Sequence, residues 1–341
     1  MKDSYFCKIS FLYKSKMKIL VTGANGLLGH HVVMQLLKQN HHVKIIVRST
    51  RNLFFDLSAL EVIEGNFSEY KSLVKAAEGC DAIIHIAAVT ATNLLHYDDY
   101  AKINVEGIAQ ILKVAGELKI NKLVYVSSAN TIGYGTEQQP ADERFTIQYP
   151  FSDSFYAQSK VASEKLVMEA SQQENSHFVI INPTFMIGAY DTKPSSGKLM
   201  LMGYKRRLMA APKGGKNFVA VSNVALSVCN ALTEGKNGER YLASGVNLSF
   251  REYYELQKET ENYKQYFVEI PDFLLILLGK GGDLLRFFGI KTDLCSRNLR
   301  QLMVREYYSN EKAKKEIHLP DTDLKKAIGE AMDWFKNHGM T

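Results

Sequence analysis

The chain has 341 residues, of which 46% are hydrophobic and 23% charged, fractions that are ordinary for a soluble globular protein. That length suits two domains, or one extended α/β domain with an appended lobe. The net charge is +6, but four lysines and one aspartate place +3 of it in the first sixteen residues, so the remainder is too weakly basic to indicate nucleic-acid binding.

The four cysteines form no Cys-x-x-Cys pair, which argues against a disulfide framework or a zinc site and agrees with the reducing cytoplasm. Residues 1–16 lack the continuous apolar region and cleavage site of a secretory signal, so we expect a disordered extension, translated from a start codon upstream of Met17. No span reaches the ~18 uninterrupted apolar residues of a transmembrane helix, and we expect no stable membrane insertion.

Apolar runs of strand length alternate with helical periodicity from Met17 onward. Strands are predicted at "MKILVT", "HVKIIVR", "LEVIEGNF", "DAIIHIAA", "KLVYVSS" and "HFVIINP". Helices are predicted at "LLGHHVVMQLLKQN", at "SEYKSLVKAAEG" with Ser68 as N-cap, at "YDDYAKINVEGIAQILKVAGEL" and at "FYAQSKVASEKLVMEASQQ". This alternation predicts an α/β fold with a Rossmann-type, doubly wound parallel sheet that binds ligands at the carboxyl ends of its strands.

The pattern also predicts the domain organisation. Residues 17–185 would form a dinucleotide-binding domain, and residues 186–341 would form mainly a smaller C-terminal substrate-binding lobe, with some segments returning to the first domain.

The glycines of "TGANGLLG" lie at the junction of the first strand and its helix. Gly23, Gly26 and Gly29 are three residues apart, where side chains would block a tight turn, close approach to a pyrophosphate, or helix-sheet packing. The helix N-terminus offers free amides and partial positive charge to an anion. Since a strand precedes the motif and an amphipathic helix follows it, the motif predicts dinucleotide binding.

The end of the second strand bears on which dinucleotide binds. An NAD-selective site usually carries an acid there, whereas an arginine accommodates the additional phosphate of NADP. The chain has Arg48 and Arg51 at this point and no acid before Asp56, which favours NADP over NAD. The alternative is that Arg48 ends the strand in solvent, or stacks on adenine without discriminating.

The segment "FYAQSK" places Tyr156 four residues before Lys160, which brings the two side chains to one face of a helix. A lysine ammonium next to a phenol favours the phenolate, so the pair suits proton transfer. The spacing alone is a weak signal in a chain with 18 tyrosines, and two residues on a solvated helix remain the alternative.

Six segments in order, "TGANGLLG", "DAIIHIAA", "INVEGI", "LVYVSSANT", "FYAQSK" and "INPTFMIGAYD", resemble the extended short-chain dehydrogenase/reductases, or NAD-dependent epimerase/dehydratase family. The resemblance covers roughly residues 17–249. Within that family the chain looks most similar to the dihydroflavonol reductase-like branch, on "VRST", "SSANT" and "NPTFMIGAYDTKPSSGKL".

The resemblance implies roles for individual residues. Tyr156 would be the catalytic acid/base, and Lys160 would hold the nicotinamide ribose and lower the pKa of the tyrosine. Ser128 would bind the substrate oxygen, with Ser127 and Thr131 open as alternatives because "SSANTIGYG" carries an additional residue compared with the usual family form. The expected cofactor-binding residues are Gly23, Asn25, Gly26, Leu27, Leu28, Gly29, Arg48, Arg51, Asn66, Phe67, Ala87, Ala88, Asn104, Lys160 and Pro183.

We therefore expect a cytoplasmic, NADP-dependent reductase of a ketone or aldehyde, a small-molecule carbonyl substrate. One alternative is a sugar-nucleotide epimerase or dehydratase with tightly bound NAD, in which Arg206 and Arg207 would bind a diphosphate; "SSANT" offers no acid for dehydration. Another is a dinucleotide-sensing regulator without chemistry, against which the retained tyrosine, lysine and serine argue. The family also leads us to expect a homodimer formed through the two long central helices.

The C-terminal half is rich in methionine, aromatic and aliphatic residues. The segment "GKLMLMGYKRRLMAAP" suits an apolar substrate pocket or ordinary core, and the apolar segment from Phe273 could face a membrane or a partner, although few basic residues accompany it. Asn223 stands where the family often carries aspartate. The tail predicts two short helices broken at Pro320, with Thr322 or Asp323 capping the second.

Overall fold

A computed structural model describes residues 16–341 of the chain. The predicted disordered extension, residues 1–16, lies outside the described residues except for its last member, Lys16. The described part contains a seven-stranded sheet, a three-stranded sheet and a two-stranded sheet.

The seven-stranded sheet is parallel throughout and has the order β10-β6-β5-β4-β1-β2-β3. Its inner strands are largely apolar along their length because helices cover both faces. This confirms the predicted doubly wound α/β fold and all six predicted strands. The bounds are β1 (Lys18–Thr22), β2 (His42–Val47), β3 (Glu61–Glu64), β4 (Ala82–His85), β5 (Lys122–Val126), β6 (His177–Pro183) and β10 (Arg240–Ala243).

Helices from both halves of the chain cover this sheet. One face packs against α1 (Leu27–Lys38), α6 (Val221–Glu234) and α10 (Glu311–Ile317). The other packs against α2 (Tyr70–Ala77), α3 (Tyr97–Glu117) and α4 (Phe155–Ala170). The prediction of Ser68 as N-cap is wrong: α2 begins at Tyr70, and the Ser68 N–H donates to Asn66 Oδ1 (3.1 Å) in a turn before the helix.

The C-terminal half also builds its own core. Its sheets consist of β7 (Phe185–Ile187), β9 (Gly215–Ala220) and β11 (Val246–Ser249), and of β8 (Leu208–Ala211) and β12 (Tyr266–Glu269). Its other helices are α5 (Gly197–Gly203), α7 (Phe250–Thr260), α8 (Asp272–Phe287), α9 (Ser296–Gln301) and α11 (Leu324–Asn337). Met200 and Met209 are buried in this core, whereas Met202 is exposed.

Because β10 joins the large sheet beside β6, segments of the C-terminal half do contribute to the first half. The boundary between residues 185 and 186 stays a prediction. Two residues, Thr322 and Asp323, were predicted as alternative caps of the last helix. Helix α11 begins after Asp323, whose side chain accepts the Lys326 N–H (3.0 Å), so Asp323 is the cap.

Asn223, on the first turn of α6, anchors the segment before α11. Its side-chain amide donates to the carbonyls of Pro320 (3.2 Å) and Asp321 (3.0 Å). A carboxylate has no proton to donate when ionised. Asparagine at this position is therefore suited to tie the two segments together in a way that the family's aspartate is not.

Helix α8 turns its small residues inward and large apolar ones outward. A Cβ on Gly282 would lie 1.1 Å from the Leu294 carbonyl oxygen, so the helix backbone packs directly against the following loop. Phe273 is 71% exposed and Leu277 62% exposed. Among residues 16–341, no helix combines the length and apolar character needed to cross a bilayer. The suggestion that this segment faces a membrane or a partner stays a hypothesis.

Candidate active site

The glycine turn between β1 and α1 packs tightly on the chain that follows β4. Gly23 has φ +76°, and a Cβ there would lie 2.7 Å from the Ala87 nitrogen. A Cβ on Gly29 would lie 2.0 Å from the Gly23 carbonyl oxygen. At Gly26 a Cβ would meet that same oxygen at 3.4 Å, an ordinary contact. Gly23 and Gly29 are therefore needed for backbone packing, whereas Gly26 leaves space in front of the helix.

That space fits the pyrophosphate of a dinucleotide. It lies at the N-terminus of α1, where helix amides and partial positive charge favour an anion. Asn25 is exposed on the turn, and Leu27 and Leu28 are buried in the core beneath it. Asn25 thus lies on the outside of the cradle, and the two leucines anchor the helix that carries it.

Thr22 fixes the chain at the end of β4. Its Oγ1 accepts the N–H groups of Ile86 (3.2 Å) and Ala87 (3.3 Å) and lies 2.8 Å from His85 Nδ1. Ala87 and Ala88 are half-buried beside the glycine turn. The first and fourth strands therefore hold the two sides of the crevice together.

Asn104 braces the same chain one step further on. Its Oδ1 accepts the Val89 N–H (2.8 Å), and its Nδ2 donates to the Val89 carbonyl (3.1 Å) and to Ser159 Oγ (2.9 Å). The side chain thus links α3, the segment after β4, and α4. This is the bracing geometry that the family resemblance implied for Asn104.

The remaining cofactor candidates lie at the carboxyl ends of β2, β3 and β6. Arg48 directly follows β2, and Arg51 follows three residues later; both are exposed. Asn66 and Phe67 follow β3, with the Phe67 ring 5.4 Å from that of His85. Pro183 is the buried last residue of β6. The structure therefore gathers the sequence-predicted residues along one edge of the sheet.

Tyr156 lies in the first turn of α4, whose N-cap Ser154 accepts the Ala157 N–H (3.4 Å). Burial raises the pKa of Tyr156 to about 12, while a hydrogen bond with the Ser128 side chain acts in the opposite direction. The Ser128 side chain therefore lies near the Tyr156 phenol and opposes part of the rise in its pKa.

Lys160 lies one turn further along α4 and is 2% exposed. Its Nζ donates to the Val126 carbonyl (2.8 Å) and to Tyr125 Oη (3.2 Å) on β5. Burial lowers the pKa of Lys160 to about 7, and the charge of Glu164 opposes that shift. The lowering of the Tyr156 pKa by this ammonium stays a prediction.

The three candidate hydroxyls after β5 have different surroundings. Ser128 acts on the pKa of Tyr156, whereas Thr131 Oγ1 donates to Glu164 Oε1 (2.7 Å). Ser127 is buried. Of the three, Ser128 has the contact expected of the substrate-orienting residue, and its role remains a prediction.

Sequence reasoning missed Glu164 and Tyr125 as neighbours of Lys160. Glu164 follows Lys160 by four residues, the spacing that links Tyr156 to Lys160, so the signal was present in the sequence. Burial lowers the pKa of His85 to about 3, with Lys160 adding to the effect. Within residues 16–341, no cluster of three or more His, Cys, Asp or Glu side chains could hold a metal ion.

Comparison with known proteins places the chain in a family. Residues 19–242 match the model of the NAD dependent epimerase/dehydratase family. The chain is 28% identical over 331 residues to a putative dihydroflavonol 4-reductase of Synechocystis sp., covering 94% of each protein. It is 27% identical over 331 residues to sterol demethylase protein B of Methylococcus capsulatus, covering 95% of this chain and 100% of that protein.

A solved structure supports the same assignment. The crystal structure of gox2253 has a TM-score of 0.81 and 27% identity, covering 96% of this chain and 100% of that one. The chain is therefore an NAD(P)-dependent oxidoreductase that belongs to the NAD-dependent epimerase/dehydratase family of extended short-chain dehydrogenase/reductases, in its dihydroflavonol reductase-like branch.

Proposed function

We propose that the protein is an NADP-dependent reductase of a ketone or aldehyde, with Ser128, Tyr156 and Lys160 as its catalytic set. The observation that carries this proposal is that Ser128 lies near enough to Tyr156 to act on the pKa of its phenol, one helical turn from the buried Lys160, at the end of α4 that adjoins the ligand-binding edge of the sheet. The reductase named among the relatives agrees with it.

The roles of the residues follow from their chemistry. The Gly26 turn would hold the pyrophosphate and Lys160 the nicotinamide ribose; when bound, the reduced nicotinamide supplies the hydride. Ser128 orients the carbonyl oxygen by donating a hydrogen bond. Tyr156 is a protonated phenol at neutral pH because burial raises its pKa to about 12, and a phenol can protonate the more basic alkoxide that forms at the substrate.

The preference for NADP rests on the end of β2. Arg48 and Arg51 are exposed there, where a guanidinium could pair with a phosphate. Asp56, the first acid downstream, caps a short 3-10 turn: its Oδ1 accepts the Ser58 N–H (2.9 Å) and the Ser58 hydroxyl (2.7 Å). We expect Arg48→Gln to weaken NADPH binding about tenfold or more and NADH binding less than twofold. Equal losses for both cofactors would contradict the assignment.

A test of activity begins with NADPH oxidation across a panel of ketones and aldehydes. Tyr156→Phe is expected to lower kcat by roughly 10²–10⁴-fold, the usual contribution of a positioned general acid. Tyr266→Phe is a matched control, because Tyr266 is 63% exposed on β12. Full turnover by the Tyr156 variant would refute the mechanism.

The absorbance spectrum of the purified protein separates this proposal from the epimerase alternative. Tightly bound nicotinamide, recycled within each turnover, would support an epimerase or dehydratase, whereas exchangeable NADPH supports a reductase. Arg206 and Arg207, which that alternative would use for a diphosphate, are exposed between α5 and β8.

We also propose a cytoplasmic location and a homodimer. Cys80 and Cys295 are buried thiols, as suits a reducing compartment. The proposed dimer would use α3 and α4, the two long helices that pack side by side. Sedimentation of the purified protein tests the dimer, and a monomer across the micromolar range would contradict it.

A further inference from the structure

Glu164 continues the catalytic face of α4. Tyr156, Lys160 and Glu164 are spaced four residues apart, so their side chains lie above one another on successive turns. Glu164 is 5% exposed. An ionised carboxylate this deeply buried requires hydrogen bonds and a compensating charge.

The carboxylate joins four elements. Glu164 Oε1 accepts from Asn182 Nδ2 on β6 (2.6 Å) and from Thr131 Oγ1 (2.7 Å), and Oε2 accepts from Arg240 Nη1 on β10 (3.3 Å). Asn182 Nδ2 also donates to the Ser128 carbonyl (3.1 Å). The backbone of Ser128 is therefore fixed to α4 through the glutamate.

We propose that Glu164 is a positioning residue of this site: its carboxylate holds the Ser128 segment against α4 and gives the Lys160 ammonium a buried counter-charge. The inference rests on the roles that the proposed function gives to Ser128 and Lys160. Glu164 itself touches neither the carbonyl substrate nor the cofactor in this scheme; it acts through its neighbours.

Three other titratable groups near Lys160 are neutral near pH 7, so they do not balance the charge of its ammonium. Tyr125 on β5 is kept protonated because burial raises its pKa, and His85 on β4 is neutral near pH 7 because burial lowers its pKa to about 3. On the same helix, Tyr156 is also a neutral phenol at that pH. Glu164 is the group whose charge favours the ammonium against the cost of burial.

Arg240 competes for the same carboxylate, since its Nη1 contacts Glu164 Oε2 while its Nη2 donates to the Glu143 carbonyl (2.6 Å). The Glu164 carboxylate thus links β10 to α4.

The first test measures the NADPH dissociation constant against pH by fluorescence titration. Glu164→Gln keeps the size of the side chain and one acceptor oxygen but removes the charge. If the pKa of Lys160 falls by about one unit and the ammonium is the form that binds the ribose, the ratio of the variant's dissociation constant to that of the wild type rises from about one below pH 5 to about tenfold above pH 8. The ratio returns to one only at low pH, where the lysine is charged in both proteins.

A merely structural role predicts a ratio that does not vary with pH, and that result would overturn the counter-charge. Glu306→Gln is the matched control, because Glu306 is also 5% exposed but pairs with Lys216 in the C-terminal lobe. It is expected to give a flat ratio. In a Lys160→Met background, Glu164→Gln should lose its pH-dependent effect; an undiminished effect there also refutes the proposal.

The second test concerns Ser128 and uses kcat. At low pH, where Lys160 is charged in every variant, Glu164→Ala is expected to lower kcat about tenfold or more, and Glu164→Gln is expected to restore most of it by accepting from Asn182. Unchanged kcat in the alanine variant overturns the positioning of Ser128. If the wild type reduces no carbonyl compound, the proposed function fails, while NADPH binding still decides the role of Glu164.

Discussion

A buried histidine next to the glycine turn makes the stability of the fold depend on pH. His30, in the first turns of α1, is 1% exposed, and its ring stacks on that of Tyr190 at 4.1 Å and 21°. Burial lowers the pKa of His30 to about 4 from a usual value of 6.5, and the neighbouring His31 acts in the same direction. The folded state therefore binds this proton only below about pH 4, whereas the unfolded chain binds it below about pH 6.5.

The resulting stability is complete above pH 6.5 and is lost progressively as the pH falls toward 4. At pH 5 the pH lies about 1.5 units below the pKa of this histidine in the unfolded state, whereas the histidine in the folded state is still mostly unprotonated. Proton binding to the unfolded state therefore lowers the free energy of unfolding by roughly 2 kcal/mol. His30→Leu removes the titrating group and keeps an apolar side chain among the aromatic rings. Between pH 8 and pH 5 the free energy of unfolding of the His30→Leu variant should therefore fall by roughly 2 kcal/mol less than that of the wild type.

Urea unfolding at the two pH values provides the measurement, and comparing each protein with itself cancels any change in packing. His42→Leu, at the exposed start of β2, is the control and should retain the wild-type difference. The reasoning fails if His30→Leu loses as much stability between pH 8 and pH 5 as the wild type does.

Three further substitutions test the site and its supports. Gly26→Ala should have a free energy of unfolding within about 1 kcal/mol of that of the wild type, because its Cβ would meet the Gly23 carbonyl oxygen at an ordinary 3.4 Å. The same Cβ would occupy the pyrophosphate cradle, so calorimetry should show NADPH binding at least about tenfold more weakly. Wild-type affinity would refute the cradle. Gly29→Ala, whose Cβ would lie 2.0 Å from the same oxygen, should lower the thermal midpoint sharply, and an unchanged midpoint would contradict the packing argument. Asn223→Asp should lower the unfolding free energy by about 1–3 kcal/mol in urea, because the Pro320 carbonyl loses its donor, and no loss would show that the anchor is dispensable.

The parts of the fold that could be predicted from the sequence are those determined by patterns within short, contiguous segments. A buried parallel strand is a continuous apolar run, and a strand-glycine-helix turn has a fixed spacing, so β1 and α1 were predicted from adjacent residues. The place of β10 could not be located in this way. That strand pairs Ala243 with Pro183, sixty positions earlier in the chain, and nothing in its four residues identifies the partner.

The proposed catalytic residues differ in the same way. Tyr156 and Lys160 are one helical turn apart, so their common face follows from spacing alone. Ser127, Ser128 and Thr131 are chemically alike at the sequence level, and they differ in the contacts that distant elements supply. Glu164 was overlooked because a glutamate on a helix is usually exposed; its burial depends on partners from β6 and β10 that no local pattern reveals.

The protonation states of Tyr156 and Lys160 depend on their burial, which the spacing of the two residues could not reveal. Burial opposes the charged form of each group: it raises the pKa of the phenol to about 12 and lowers that of the amine to about 7. The pair is therefore biased toward a protonated tyrosine, the form that donates a proton to a carbonyl oxygen receiving hydride. Proton removal in the oxidative direction would instead require the phenolate, which the Ser128 hydrogen bond stabilises and the charge of Glu164 disfavours. The carboxylate of Glu164 thus acts on both groups: it favours the charged form of Lys160 and the neutral form of Tyr156.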